Sequence, residues 1–262
     1  MRVNTLRRLS LHARRWLLPA LGPLLLLALW QLTLSAHWVK AVLLPPPIDT
    51  LSFLVADFTS GAILPDLQST LWRTLGAFAI AVVIGVPLGV MLGASVGAYR
   101  SVEFLIDFFR STPSSALIPL FMLIFGITDM NKIAISSFGA MLIVLFNSAY
   151  GVMNAKKTRL MAAQIMGISK WHVFKDVLLM ESLAQTFVGL RSAVSMALVI
   201  VIVAEMFIGS ETGLGHRIID AQQVFNVKEM YASILVTGAL GYLLNLGFLL
   251  VEKRLIHWSG KA

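Results

Sequence analysis

The sequence predicts an all-α, polytopic membrane protein with about six transmembrane helices and one large cytoplasmic loop that contains short helices. Of its 262 residues, 58% are hydrophobic and only 13% are charged, and the mean hydropathy is +0.83. Soluble proteins carry about 25% charged residues, so this composition excludes a water-soluble globular chain. Apolar runs of about 20 residues, the length that crosses ~30 Å of hydrocarbon, recur along the chain.

Six apolar runs are long enough to span a bilayer. They occupy residues 17–36, 71–96, 104–126, 132–152, 184–208 and 231–251. Charged residues and Pro113 crowd the start of the third run, and ionised side chains are costly in hydrocarbon. An alternative start for that span therefore lies near Ser114, with an interfacial helix before it.

The segment between the first two spans predicts one further helix. Pro45, Pro46 and Pro47 are consecutive prolines, which favour an extended polyproline chain. Residues 50–58 then place apolar side chains on one face of a helix, with Asp49 as its candidate N-cap. We expect this amphipathic helix to lie on the outer membrane face.

Lys and Arg residues predict the orientation of the chain. Most of the 21 fall in a basic segment at 1–16, in the loop at 154–182 and in a tail at 253–262. Because cytoplasmic loops hold the excess of positive charge, these pieces are expected inside, around a transmembrane domain at 17–252. The net charge of +8 is then explained by contact with anionic lipid rather than with nucleic acid.

The loop at 154–182 is too polar to lie in hydrocarbon. Its residues 158–166 predict a short helix, and Gly167 predicts a break, because glycine tolerates the left-handed backbone that ends helices. Ser169 is the candidate N-cap of a second short helix. Two interpretations are open: a surface on which another protein docks, or an amphipathic connector that lies on the membrane.

The spacing of residues in this loop resembles the coupling loop of bacterial ATP-binding-cassette importer permeases. The matching positions are Ala162, Ala163, Gly167 and Leu179. Val177 replaces the family's Ile conservatively, whereas Met161 and Met180 stand where the family has Glu and Pro. The resemblance implies that an ATPase subunit contacts this loop. The residues expected at that contact are Ala162, Ala163, Gly167, Ser169 and Trp171.

Further motifs extend the resemblance over about residues 40–255, to the permeases of the nitrate, sulfonate, taurine and bicarbonate importer group. The segments are SALIPLF at 115–121, FGI at 125–127, GLR at 189–191, VAEM at 203–206 and GLG at 213–215. The resemblance implies a permease subunit that forms the path for a small anionic solute. It also implies a bacterial inner membrane, a second permease copy in a homodimer, an external solute-binding protein, and two cytoplasmic subunits that bind ATP and Mg.

Polar residues within or beside the apolar runs are candidates for a translocation path. They are Ser111, Thr112, Ser114, Ser115, Asn147 and Glu205. Hydroxyl groups around a broken helix suit the lining of a cavity, although Ser and Thr also pack spans together. An acid such as Glu205 inside a span is a functional candidate. The alternative for Glu205 is a structural hydrogen bond that holds the span to the outer loop.

The sequence carries no motif typical of catalysis. It has no cysteine and no G-x-x-x-x-G-K-[ST] phosphate loop, and its five histidines lack metal-ligand spacing. We therefore expect no enzyme activity, no metal and no cofactor in this chain. Two rival functions are a secondary transporter, which would show several intramembrane ionisable residues or inverted repeats, and a membrane-embedded enzyme, which would show clustered His, Asp or Glu.

Overall fold

The computed structural model describes residues 21–40, 42–155 and 157–255, and in these ranges the chain is helical without a strand. The predicted all-α class is therefore confirmed. The helices, in chain order, are α1 (Leu21–Ser35), α2 (Pro47–Ser60), α3 (Leu64–Gly93), α4 (Val96–Ser111), α5 (Ile118–Phe125), α6 (Asp129–Met153), α7 (Lys157–Ile165), α8 (Lys170–His172), α9 (Leu179–Ile208), α10 (Leu214–Gln223) and α11 (Val227–Leu255). A 3-10 turn at Ser114–Leu117 precedes α5, and a π-helical segment at Val173–Leu178 joins α8 to α9.

These helices belong to two compact units. The first contains the described residues of Met1–Ala62 together with Ala221–Ser233. The second contains those of Ile63–Asp220 together with Ile234–Ala262. The boundaries after Asp220 and Ser233 fall within α10 and α11, so each of these helices contributes residues to both units.

Trp30 on α1 holds the first unit together. Its indole Nε1 donates a hydrogen bond to the Pro45 carbonyl at 3.0 Å, and its ring centroid lies 5.6 Å from that of Tyr231. Lys228 Nζ lies 2.9 Å from the Asp49 carboxylate. These contacts connect the proline segment to α1 and connect α2 to the start of α11.

Helix α2 begins earlier than the sequence predicts. It starts at Pro47, with Pro46 as N-cap and no side-chain cap hydrogen bond, so the expected N-cap at Asp49 is wrong. Proline is favoured in the first turn because its fixed φ suits the helix. Backbone N–H groups in that turn have no acceptor within the helix, so proline loses no hydrogen bond there. Asp49 lies in the first turn instead, where a carboxylate interacts favourably with the helix dipole.

Helices α3, α6 and α9 form the centre of the second unit. Their buried contact residues are mostly small, namely Ala77, Ala81, Ala140, Val144, Leu190, Ala193 and Ala197. Glycine brings α3 against α6: a Cβ added at Gly89 would overlap the Leu145 carbonyl, and one at Gly93 would overlap the Ala149 carbonyl. Such packing is typical of membrane helices, because lipid supplies no hydrophobic drive between them and close contact must hold them together.

Four of the described helices are long and apolar enough to cross a membrane. They are Leu64–Gly93, Asp129–Met153, Val173–Ile208 and Val227–Leu255. They contain the greater part of the second, fourth, fifth and sixth predicted spans. The first predicted span, at 17–36, lies partly outside the described residues, and its described part, α1, is shorter than a full span.

The third predicted span, at 104–126, is not one continuous helix. Val96–Ser111 and Ser114–Phe125 meet at a bend of 90°. Pro113 has no N–H to donate and disfavours helical backbone at the preceding residue, so Thr112 is extended, with φ −80° and ψ 122°. The alternative start after the bend agrees with this geometry. The described residues thus contain four candidate spans, or five if the bent pair is one span, and the expected count of six is not confirmed.

Candidate coupling and translocation sites

The polar loop forms the two short helices that the sequence predicts. Helix α7 ends just before Gly167, which adopts a left-handed φ of +67°. Ile168 N donates to the Ala163 carbonyl at 3.1 Å, the hydrogen bond of a Schellman C-cap. Ser169 Oγ lies 3.5 Å from His172 N and 2.8 Å from its Nδ1, so it occupies the N-cap position of α8.

Apolar side chains of this loop point away from the rest of the chain. We call the exposed residues Met161, Ala162, Ile165, Met166 and Trp171 the coupling surface. Its four large side chains are Met161, Ile165, Met166 and Trp171, with exposed fractions of 58%, 87%, 76% and 66%. Ala163 is only 4% exposed and packs within the chain. Large exposed apolar side chains concentrated in one loop are typical of an interaction surface.

An ion pair and a continuous helix connect the coupling surface to the span that follows it. Arg159 on α7 pairs with Glu181 in the first turn of α9. Helix α8 and the π-helical segment run into α9 without interruption, and the 36 residues of Val173–Ile208 make a helix of roughly 54 Å. A displacement at Trp171 can therefore be transmitted along the whole span.

The four hydroxyl residues at the helix bend have different surroundings. Ser111 and Ser115 are exposed, whereas Ser114 is buried against α6. Thr112 Oγ1 donates to the Phe108 carbonyl at 2.9 Å, as its backbone N–H does at 3.0 Å. Of the four residues, Ser111 and Ser115 are therefore the two that lie exposed at the surface of the chain.

Asn147 joins two core helices. Its Nδ2 donates to the Ile143 carbonyl at 2.8 Å, and its Oδ1 accepts from Gln185 Nε2 at 2.9 Å. A Cβ added at Gly189 would overlap the Asn147 side chain, so α6 and α9 are in close contact here. These contacts favour the packing interpretation of Asn147.

Glu205 is completely buried, and both of its carboxylate oxygens are hydrogen-bonded. Arg73 Nη1 lies 2.7 Å from Oε1, and Thr70 Oγ1 lies within 3.0 Å of both oxygens. Gly215 N donates to Oε2 at 2.9 Å, and Leu214 N donates to Thr70 Oγ1 at 2.8 Å. The carboxylate thus ties α3 and α9 to the first turn of α10, which favours the structural interpretation of this acid.

Arg73 extends this network to α6. Its Nη2 lies 2.8 Å from Asp129 Oδ1, and Lys132 Nζ lies 3.2 Å from the same oxygen. Lys132 Nζ also lies 3.1 Å from Ser210 Oγ. These groups line a cavity of about 600 Å³. The sequence motifs do not identify Arg73 or Asp129, and the available signal for Arg73 was an arginine inside an apolar run.

Comparison with known proteins relates this chain to transport permeases. A family model described as "Binding-protein-dependent transport system inner membrane component" matches residues 82–257, well over half of the chain. The aliphatic sulfonates transport permease protein SsuC of Escherichia coli (strain K12) is 31% identical over 249 residues, covering 94% of each chain. The taurine transport system permease protein TauC of the same strain is 28% identical over 268 residues, covering 97% of each.

Two further comparisons reach more distant proteins. The bicarbonate transport system permease protein CmpB of Synechocystis sp. is 25% identical over 248 residues, covering 90% of this chain and 87% of that protein. A chain in an inward-facing structure of the MetNI methionine ABC transporter has a TM-score of 0.65 and 20% identity. That match covers 73% of this chain and 95% of the other. At this identity, the likeness to the solved structure concerns the fold alone.

Proposed function

This chain belongs to the family of binding-protein-dependent transport system inner membrane components, and from that premise we propose what it transports and how. It is the permease subunit of an ABC importer, and permease subunits of this family have no ATPase site of their own. The resemblance carried by the loop motif is thereby confirmed. We propose that the chain forms the path for a small anionic solute of the nitrate, sulfonate, taurine or bicarbonate class. The names of three relatives support this class.

The coupling surface is the observation that carries the proposed mechanism. Its four large apolar side chains are more than half exposed, and covering them with a partner would be favoured by the hydrophobic effect. Permeases of this family work with ATP-binding subunits and a substrate-binding protein. We propose that an ATP-binding subunit covers this surface, that two such subunits serve two copies of this chain, and that a solute-binding protein docks on the opposite side.

ATP and Mg belong to the ATP-binding subunits in this proposal, and hydrolysis takes place there. Within residues 21–40, 42–155 and 157–255, no group of three His, Asp or Glu side chains could hold a metal ion. The chain itself contributes the path and the surface on which hydrolysis acts.

The protein is a multi-pass component of the inner membrane. We propose a bacterial inner membrane in which both termini and the coupling surface face the cytoplasm. The basic residues of the loop and of both terminal segments support this orientation, because positive charge is retained inside. The far end of α9, with Glu205 and the turn at Gly213, then faces outward.

Movement of the ATP-binding subunits would act on α7 and α8. The Arg159–Glu181 ion pair and the continuous helix carry that movement into α9. At the far end, the Glu205 network makes α9 and α3 move together. Two arrangements of these helices, each favoured by a different partner state, are what coupled transport requires.

The proposed path uses the bend between α4 and α5. In this proposal Ser111 and Ser115 contact the solute, because both residues are exposed at the bend. Ser114, Thr112, Asn147 and Glu205 shape and hold the helices around the path through the contacts described above. The residues that the sequence predicts for the path thus divide, in this proposal, into two that contact the solute and four that support the helices around it.

Matched tryptophan substitutions test the coupling role. Trp171 on the coupling surface and Trp72 on α3 are 66% and 69% exposed. The assay is ATP-driven uptake of labelled taurine, ethanesulfonate or bicarbonate into proteoliposomes, with the cognate binding protein present. We expect Trp171→Ala to reduce this uptake by about tenfold or more, because a tryptophan buried in an interface contributes roughly 2 kcal/mol or more. Recovery of the ATP-binding subunits with the permease should fall in parallel.

Trp72→Ala is the control, and its uptake and subunit recovery should match the unmodified protein. Normal uptake and recovery in Trp171→Ala would contradict the coupling role of this surface. Uptake without ATP, driven by an imposed ion gradient, would support the secondary-transporter alternative instead.

A further inference from the structure

A second polar cluster lies within the apolar run of α9. Arg191 and Ser192 are exposed, and Ser195 follows one helical turn after Arg191 on the same face. A cavity of about 760 Å³ opens over this face, and Asn245 and Glu252 of α11 line it as well. All five residues belong to the second unit. The cluster is separate from the hydroxyl residues of the bend and from the Glu205 network.

One hydrogen bond holds the Arg191 guanidinium at its Nε, and a second positions the residue that accepts it. Its Nε donates to Asn245 Oδ1 at 3.3 Å, and Asn245 Nδ2 donates to Ser195 Oγ at 2.6 Å. Among the described residues, no hydrogen-bond or ion-pair partner engages the two terminal nitrogens of Arg191. Glu252 lies seven residues beyond Asn245, roughly 10 Å along the helix, and forms no ion pair with Arg191.

This geometry indicates what the guanidinium faces. A charged side chain within a span is unfavourable against lipid, and such residues face a water-filled cavity or a polar partner. The terminal nitrogens of a guanidinium form a planar fork that matches two oxygens of an oxyanion. With Nε fixed by Asn245, the fork keeps its orientation, and less side-chain entropy is lost when an anion binds.

We propose that Arg191 is an oxyanion-binding group on the translocation path, and that Asn245 and Ser195 position it. Its ligand is the oxyanion of the solute: nitrate, bicarbonate, or the sulfonate group of taurine or an alkanesulfonate. This proposal rests on the proposed function, because it places the cavity on the route of an imported anion. The phosphate of an anionic lipid headgroup offers the same oxyanion chemistry, and the experiment in zwitterionic phosphatidylcholine, with and without phosphatidylglycerol, separates the two sources.

A thiol reporter measures the charge in this cavity. The chain contains no cysteine, so Ser192→Cys places its single thiol beside Arg191. The permease is purified in its complex and placed in phosphatidylcholine nanodiscs. Its thiol is then modified by anionic or cationic methanethiosulfonates of matched size, and mass spectrometry follows the rate of each reaction on this chain. The anionic-to-cationic rate ratio should fall about tenfold when Arg191→Gln is added, because one nearby charge shifts the two rates in opposite directions.

Arg100→Gln is the matched control, since it removes an exposed charge of α4 outside the cavity. It should leave the rate ratio unchanged. Ethanesulfonate or bicarbonate should slow the anionic reagent at least about threefold when Arg191 is present and have no effect in Arg191→Gln. Arg191→Lys, which keeps the charge without the planar fork, should retain part of this protection.

If Arg191→Gln leaves the anionic-to-cationic rate ratio unchanged, the proposal of an oxyanion site at Arg191 is wrong. Protection that appears only when phosphatidylglycerol is added, with no effect of ethanesulfonate or bicarbonate, would assign the site to lipid and overturn its place on the path. These measurements use neither ATP hydrolysis nor uptake. A failure of the importer mechanism would therefore be seen in the tryptophan experiment and not here.

Discussion

Arg73 Nη1 lies 2.7 Å from Glu205 Oε1, and the two side chains are only 4% and 0% exposed. Burying two charges costs several kcal/mol for each ion unless hydrogen bonds satisfy the remaining donors and acceptors. Thr70 and Gly215 bond the carboxylate, and Asp129 pairs with the other side of the guanidinium. The pair therefore belongs to a buried hydrogen-bond network that connects α3, α6 and α9 at one end of the core.

Removing one member of this pair should destabilise the protein. Glu205→Ala leaves Arg73 buried without its nearest carboxylate, and we expect a loss of about 3 kcal/mol or more in the free energy of unfolding. Glu205→Gln keeps the shape and one acceptor oxygen, so it should lose less stability and retain most uptake. Thermal unfolding in detergent and yield in the membrane fraction are the measurements.

Glu211→Gln is the control for that series, because Glu211 is an exposed acid near the same turn. If Glu205→Gln abolishes uptake while its complex assembles normally, the charge itself serves gating rather than anchoring. Full stability and full uptake in Glu205→Ala would exclude both roles.

Gly89→Ala should push two core helices apart. The added Cβ would overlap the Leu145 carbonyl, and backbone cannot move aside as a flexible side chain does. We expect a destabilisation of about 1–3 kcal/mol, the usual effect of overpacking, measured as a lower midpoint of thermal unfolding. Gly238→Ala on α11 meets nothing within 4 Å and should be neutral or slightly stabilising, since alanine favours helix. Equal midpoints for the two variants would contradict the close packing of α3 on α6.

Gly167→Val should disturb the coupling loop without a steric clash. Gly167 has a φ of +67°, and an added Cβ meets nothing within 4 Å, so the effect is one of backbone strain. For a side chain in left-handed backbone that strain is about 1–2 kcal/mol. We expect weaker recovery of the ATP-binding subunits, or hydrolysis uncoupled from transport, in a permease that still inserts.

Gly167→Asn is the control, because asparagine tolerates left-handed backbone, and it should keep most recovery of the ATP-binding subunits. Normal recovery and uptake in Gly167→Val would count against docking at this loop.

Single cysteines test the proposed orientation. Lys175 lies exposed in the loop at 154–182, outside the coupling surface, and Glu211 lies exposed beyond the far end of α9. With an impermeant thiol reagent on intact cells, Glu211→Cys should be labelled at once, and Lys175→Cys only after the membrane is opened. The opposite pattern would invert the topology, and labelling of both in intact cells would argue that the loop at 154–182 is accessible from outside.

Local rules predicted the coupling loop well and the bent span poorly. Helix α7 ends at Gly167, where Ile168 N donates to the Ala163 carbonyl, and α8 begins where His172 N approaches Ser169 Oγ. Because these bonds join residues only three to five positions apart, both helix ends can be predicted from spacing. Pro113 also acts locally, by breaking the helix at the bend. The length of the apolar run at 104–126, taken alone, nevertheless favoured one continuous span across this proline. At α2, Pro47 began the helix two residues before Asp49, because its fixed φ suits the first turn.

The sequence by itself determined the membrane class, the family and the positions of most helices, because composition, apolar run length and short motifs are properties of neighbouring residues. Only the tertiary structure decided which polar residues meet. Arg73 and Glu205 are 132 positions apart, and Arg191 and Asn245 are 54 positions apart. Whether such groups pair depends on the rotation and depth of each helix against its neighbours. That register is determined by packing contacts such as Gly89 on the Leu145 carbonyl, which no local pattern encodes.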